Sequence, residues 1–157
     1  MIKVYTDGSC RANGSANAVG GWAFAIVRED ELIYAARGMV CGTTNNQMEL
    51  EAVKRAIKWI RTGTDLRNEQ VEIYTDSAYI QNCASQKWYV NWQKNGWVNT
   101  KKEPVKNREY WEFLIPYFTD ERFTFLKVKG HNGDKWNEYV DKQAQEVSIN
   151  WKDLTLK

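Results

Sequence analysis

Apolar positions along the chain change period several times, and each change marks an element. Residues 2–6 read as a short apolar strand that ends at Asp7, and residues 8–20, rich in Gly, Asn, Ala and Ser, read as turn. Two further apolar runs, residues 21–28 and 32–40, flank Glu29-Asp30-Glu31 and read as a hairpin, so the first three strands form an antiparallel meander. After Thr44, the residues Leu50, Val53, Ile57 and Ile60 recur at helical spacing, with Glu49 in the first turn and Gly63 as the C-terminal cap. Val71, Ile73 and Tyr74 mark a short strand ending at Thr75-Asp76-Ser77, where Asp76 or Ser77 caps a helix that runs through Cys83.

Further on, Asn107 is placed to cap a helix whose apolar stripe is Trp111, Leu114, Ile115 and Phe118, stopping near Asp120. Phe123, Phe125 and Val128 alternate as a fifth strand, and after a glycine-flanked loop at 130–133 the residues Val140, Ala144 and Val147 mark a last helix. A strand meander joined to strand–helix units predicts an α/β domain: a mixed sheet of about five strands with helices packed on it. The expected organisation is one domain over residues 1–150 and a short tail at 151–157, with no repeat, linker or low-complexity tract.

Composition narrows the class. A chain of 157 residues with 43% hydrophobic and 27% charged residues is large enough to bury a core and fits a globular protein. No segment approaches the roughly 20 consecutive apolar residues of a membrane span, and the first residues lack the apolar core of a signal peptide. Cys10, Cys41 and Cys83 are odd in number and scattered, which suits free thiols in a reducing compartment; a cytoplasmic location is expected.

The net charge of +2 conceals a segregated distribution. Residues 87–108 hold six basic side chains (Lys87, Lys94, Lys101, Lys102, Lys106 and Arg108) against one acid, Glu103, while acids outnumber bases over the rest of the chain. The same segment carries Trp88, Tyr89, Trp92 and Trp97, with Gly96 and Pro104 interrupting any long helix. Interleaved cations and aromatics suit a phosphate backbone with sugar or base faces beside it. The competing reading is a solvated helix whose tryptophans face the core.

Four acids stand where simple surface polarity does not account for them: Asp7 and Asp76 end apolar strands, Glu49 enters a helix, and Asp141 lies in the last helix. Carboxylates at strand ends and on helix faces can converge, and hard divalent cations favour such oxygen ligands combined with a substrate phosphate. The single histidine, His131, lies between Gly130 and Gly133; its ordinary pKa of roughly 6.5 lets it move a proton at neutral pH.

At these residues the chain resembles the type 1 ribonucleases H, which cut the RNA strand of an RNA–DNA hybrid. The likeness rests on Thr6-Asp7-Gly8-Ser9-Cys10, Thr43-Thr44-Asn45-Asn46-Gln47-Met48-Glu49-Leu50, Tyr74-Thr75-Asp76-Ser77, Val128-Lys129-Gly130-His131-Asn132-Gly133, and Asn137-Glu138 followed by Asp141. Each is weak alone; all five in order, with the basic tryptophan-bearing segment between the third and fourth, form a specific pattern. The resemblance implies a ribonuclease H-like fold with a basic handle at about 87–108. It implies metal ligation by Asp7, Glu49, Asp76 and Asp141, with two Mg²⁺ ions roughly 4 Å apart and Mn²⁺ as a substitute. It further implies hydrolysis leaving 3′-hydroxyl and 5′-phosphate ends, assisted by His131. Substrate contacts would come from Cys10, Asn13, Asn45, Asn46 and Gln47 in the minor groove, from Thr44 on a DNA phosphate, and from Lys87, Trp88, Trp92, Lys94, Trp97, Lys101 and Lys102 in the handle. The implied partner is the hybrid, bound by a monomer without a membrane. The loop after Asp7 is longer than in compact bacterial members and lacks their Gly-Asn-Pro-Gly run.

Two other classes stay open at this stage. A resolvase- or transposase-like DNA nuclease would share the acidic site, although the segment from Thr44 to Leu50 and the handle argue against it. A module that coats nucleic acid without cutting would leave the acids unexplained, because acids weaken affinity for phosphate unless metal intervenes.

Overall fold

The computed structural model describes residues 1–13, 15–63, 68–128 and 134–149. Five strands form one mixed sheet: β1 (Ile2–Arg11), β2 (Val19–Arg28), β3 (Glu31–Cys41), β4 (Val71–Thr75) and β5 (Phe123–Lys127). They lie side by side in the order β3-β2-β1-β4-β5. The first three pair antiparallel, whereas β4 runs parallel to both β1 and β5, so β1 is central. The helices are α1 (Asn45–Thr62), α2 (Ala78–Gln86), α3 (Trp88–Asn95), α4 (Arg108–Phe118) and α5 (Lys135–Ile149).

Alternation along the strands sends side chains to two cores. Ile2 and Val4 join Trp22, Phe24 and Ile26 beneath Leu50, Val53 and Ile57 of α1, with Trp111 and Leu114 of α4 completing this larger core. Tyr5, Ala23, Ala25 and Val27 face the other way and pack on Val140 and Ala144 of α5. The small side chains there are a condition of the packing: a methyl on Gly21 would collide with the carbonyl of Ala144. Each large aliphatic side chain fully buried in this way stabilises the fold by about 1.5–3 kcal/mol.

Three local readings need correction. Residues 8–11 are strand rather than turn: Gly8 pairs with Trp22 and Arg11 with Val19, and a short irregular loop joins β1 to β2. Their small polar residues mimic a turn, yet one is required by tertiary packing, because a methyl at Gly8 would strike the backbone of Met48 and Glu49. Glu49 lies in the second turn of α1, since Thr44 caps that helix by accepting from the Gln47 amide at 3.2 Å. Of the two residues offered as cap of the next helix, Ser77 takes the place, its hydroxyl accepting from Ile80 N at 3.2 Å. Asn107 precedes α4 as expected but in a left-handed conformation, and its side chain makes no cap bond.

The basic segment is built from a helix and a closed loop. Lys87 in left-handed conformation separates α2 from α3, and Gly96 at φ 80° ends α3. A single bridge between Val98 and Pro104 then closes the loop that carries Lys101 and Lys102. Trp88, Trp92 and Trp97 are half-buried: Trp92 lies 6.2 Å from Trp88, 5.8 Å from Trp97 and 5.9 Å from the buried Trp111. These rings pack against the core on one side while the lysines face solvent. The tail from Trp151 lies outside the described residues.

Candidate active site

Strand register places the first two acids together. Tyr5 pairs with Tyr74 in the parallel β1–β4 ladder, and their rings stack at 5.0 Å. Two residues further on, where the β1–β4 ladder has ended, stand Asp7, still within β1, and Asp76, just past the carboxyl end of β4, the side of a parallel pair where α/β sheets bind ligands. Glu49 reaches the same point because Gly8 lets the first turns of α1 rest directly on β1. Asp7 shares the strand face of Tyr5, toward α5, and α5 brings Asp141 against it.

Carboxylate oxygens of Asp7, Glu49 and Asp76 all lie within 4.8 Å of one another. Asp141 lies outside that group of three but close enough to Asp7 to raise its pKa, and its Oδ1 accepts from Gln145 Nε2 at 3.2 Å. Asp7 is 5% exposed, and its Oδ1 accepts from the Gly8 amide at 2.9 Å. Burial, the contact with Asp141 and the charge of Asp76 push its pKa up to about 8. Burial and the charges of Asp7 and Asp76 likewise hold Glu49 well above the usual carboxylate range. One oxygen of Glu49, Oε2, is buried with no hydrogen-bond partner among the described residues. Anions crowded out of water in this way need protons or cations, so the donor set fits hard divalent metal. His131 lies outside the described residues.

A cleft of about 530 Å³ is lined by Asn13, Thr44, Asn45, Asn46, Gln47, Lys106 and Asn107. Asn13 Oδ1 accepts from the Asn45 amide at 2.9 Å and so ties the loop after β1 to the start of α1. Cys10 is half-buried; its thiol donates to the Thr43 carbonyl at 3.5 Å, and burial raises its pKa. In the basic segment, a second hollow of about 460 Å³ is lined by Trp88, Asn91, Trp92, Lys94, Asn95, Val98, Asn99 and Thr100. Lys87, Lys101 and Lys102 are exposed, and Trp97 lies under the guanidinium of Arg108 at 4.9 Å.

The structure adds Lys106 and Asn107 to the first cleft, where no motif pointed to them. Lys106 counted only toward the local charge, and Asn107 resembled an ordinary helix cap. Neither has a sequence signal for the cleft, because their neighbours there come from the loop after β1 and the start of α1, far earlier in the chain.

A model of the RNase H family matches residues 1–149. The chain is 43% identical to the ribonuclease H of Syntrophomonas wolfei over 147 residues, covering 93% of this chain and 94% of that one. Among solved structures it is similar to LC9-RNase H1, described as a type 1 RNase H with the type 2 active-site motif, with a TM-score of 0.76, 25% identity, and coverage of 95% and 72%. It also shares its fold with LC11-RNase H1, solved in complex with an RNA/DNA hybrid, at a TM-score of 0.64, 22% identity, and coverage of 94% and 99%. A central strand carrying a buried acid, a helix delivering a second acid across a glycine, and a match over nearly the whole length agree: the chain belongs to the ribonuclease H family of nucleases.

Proposed function

We propose that the protein is an endoribonuclease that hydrolyses the RNA strand of RNA–DNA hybrids, using two Mg²⁺ ions and leaving 3′-hydroxyl and 5′-phosphate ends. The observation that carries this reading is the meeting of Asp7, Glu49 and Asp76 within 4.8 Å, with Asp141 against Asp7 and one Glu49 oxygen unpartnered. These four side chains would hold the ions, with Mn²⁺ able to replace Mg²⁺. When bound, such ions offset charge developing on the phosphoryl oxygens and lower the pKa of water.

The chain's own residues orient the substrate. Asn45, Asn46 and Gln47, with Asn13 behind Asn45, present short polar groups suited to a shallow minor groove and its 2′-hydroxyls. Cys10 and Glu49 border the same RNA sugars. Thr44, with Lys106 and Asn107 across the cleft, takes a phosphate of the uncleaved DNA strand. Lys87, Lys94, Lys101 and Lys102 attract the DNA backbone farther out, and Trp88, Trp92 and Trp97 offer ring edges beside them. His131 accepts or delivers a proton as the product departs, modulating the rate rather than setting it.

Residues 1–150 then form one catalytic domain with a handle at about 87–108 and a tail at 151–157, acting as a monomer. Among the described residues, no helix is long and apolar enough to cross a membrane. The free thiols support a reducing, cytoplasmic setting.

The test is cleavage of end-labelled hybrid, duplex DNA and duplex RNA, each with Mg²⁺ and with chelator. The proposal expects products from the RNA strand of the hybrid alone, and none with chelator. Cleavage of duplex DNA at a comparable rate, or hybrid cleavage unaffected by chelator, contradicts it.

A further inference from the structure

The turn between β2 and β3 has only two residues, because Arg28 pairs with Glu31, and both are left-handed: Glu29 at φ 52° and Asp30 at φ 61°. Two-residue hairpins need that conformation and ordinarily fill it with Asn-Gly or Asp-Gly. Glycine is the relaxed choice at the second place, where Asp30 stands. A side chain kept at a strained position calls for a reason. The turn is exposed and contributes nothing to the acidic cluster or to the two larger hollows. It does have a partner: Asp30 Oδ1 accepts from the indole Nε1 of Trp136 at 3.0 Å.

Trp136 lies in the first turn of α5, and its amide donates to Asp134 Oδ1 at 3.0 Å. Its ring meets Tyr139 edge-on at 6.0 Å and carries Lys135 Nζ at 4.5 Å. The far half of α5 is held separately. Gly21 lets the Ala144 carbonyl rest directly on β2, and Arg37 of β3 donates to Gln143 Oε1 at 2.9 Å and pairs with Glu146 at 3.1 Å. Between these holds the apolar contact is shallow, with Val140 and Ala144 set on Tyr5, Val27 and two alanines, Ala23 and Ala25. Asp141 belongs to that stretch. It lies three residues from the Ala144 contact, roughly 4.5 Å along the axis, whereas Trp136 lies eight residues away, roughly 12 Å. A tilt of α5 by about 10° about that contact carries Asp141 by about 0.8 Å, beyond the roughly 0.5 Å within which a functional side chain must be held.

We infer that Asp30 and Trp136 are positioning residues: the strained β2–β3 turn is an end-stop that fixes the tilt of α5, and through α5 the place of Asp141 beside Asp7 and the metal. This rests on the proposed metal-dependent cleavage of hybrids. The stop acts from a distance, since Asp7 pairs with Ala23 and the strand from Ala23 to Arg28 alone spans roughly 17 Å. Turn and site make opposite demands on residue 30. Glycine there relaxes the backbone and favours folding, yet leaves the indole N–H without its acceptor.

The experiment compares wild type with Asp30→Gly, Asp30→Asn and Trp136→Phe in three measurements: melting of the metal-free protein, Mg²⁺ affinity by calorimetry without substrate, and steady-state cleavage of a hybrid. Asp30→Gly is expected to melt at or above the wild-type temperature, to bind Mg²⁺ roughly three- to tenfold more weakly, and to lower kcat by a similar factor with KM within about twofold. Asp30→Asn keeps an acceptor oxygen and suits the left-handed conformation, so it should stay within about twofold of wild type in all three constants. Trp136→Phe should repeat the losses of Asp30→Gly in Mg²⁺ affinity and kcat, and joining the two changes should add no further loss. Asp30→Gly with wild-type Mg²⁺ affinity and kcat overturns the inference and leaves the proposed function intact. Equal losses in Asp30→Gly and Asp30→Asn also overturn it, because charge rather than the bond would then be at work. If wild type binds Mg²⁺ but cuts no hybrid, the proposed function fails and the Mg²⁺ affinities still decide the positioning role. A wild type that binds no Mg²⁺ overturns both.

Discussion

Gly8 and Glu49 are in backbone contact: β1 and α1 approach so closely that a Cβ on Gly8 would overlap the Glu49 amide and the Met48 carbonyl carbon. This contact sets the distance from Asp7 to Glu49, and therefore the charge density of the whole site. Gly8→Ala should separate the two elements. Overpacking of this kind costs about 1–3 kcal/mol. The expected outcome is a lower denaturation midpoint together with weakened Mg²⁺ affinity in calorimetric titration. Wild-type metal affinity in a folded Gly8→Ala protein would show that Glu49 does not depend on the contact.

Asp7 gives the metal-free protein a defined pH dependence. Its folded pKa of about 8 lies far above the unfolded value of roughly 3.9, so the native state holds this proton more tightly. The resulting stability is fully present below about pH 4 and is lost as pH rises through 8. Asp7→Asn removes the dependence. In chelator at pH 9 the variant should be more stable than wild type, on the order of 2 kcal/mol given that Glu49 shares the proton, and it should be inactive. Urea midpoints at pH 5, 7 and 9 measure this. Equal pH slopes for both proteins would exclude Asp7 as the titrating group.

Saturating Mg²⁺ should reverse that trend, because metal binds the native cluster and not the dispersed carboxylates of the unfolded chain. Raising Mg²⁺ at pH 8 is expected to raise the melting temperature of wild type and to leave Asp7→Asn little changed. A melting temperature insensitive to Mg²⁺ in wild type would separate the acidic cluster from metal binding.

In the basic segment at 87–108, rings and charges are expected to do different work. Trp92→Ala removes contacts with Trp88, Trp97 and Trp111 and should destabilise the fold by about 2 kcal/mol, below the cost of a fully buried ring. The double change Lys101→Ala and Lys102→Ala should leave stability within about 0.5 kcal/mol while reducing the salt dependence of hybrid affinity by one to two phosphate contacts, roughly. Unchanged salt dependence would place those lysines off the substrate path.

Much of this was legible in the chain. Asp7 and Asp76 stand out in the sequence because each follows an apolar run, although β1 continues past Asp7 to Arg11, and the mixed sheet that brings them together follows from a meander joined to strand–helix units. Glu49 was visible as a further acid near a helix start, one turn later than its pattern implied because Thr44 takes the cap. The extension of β1 through Gly8 was not legible, since Gly, Ser and Asn read as turn until the helix lying across them is known. Asn107 was misread for a similar reason: before an apolar helix it looks like a cap, and only Gln47 and Tyr79, brought in by tertiary packing, show where its amide goes. The tryptophans stood between two readings because the rings are half-buried, and composition does not record which edge is covered.

The most direct test of the central claim, that the converging carboxylates hold metal against a scissile phosphate, is the Asp76→Asn variant measured for hybrid binding and hybrid cleavage in the same Mg²⁺ buffer. Loss of a ligand and of one negative charge predicts affinity equal to or slightly tighter than wild type, with cleavage abolished. Cleavage at the wild-type rate would contradict the account.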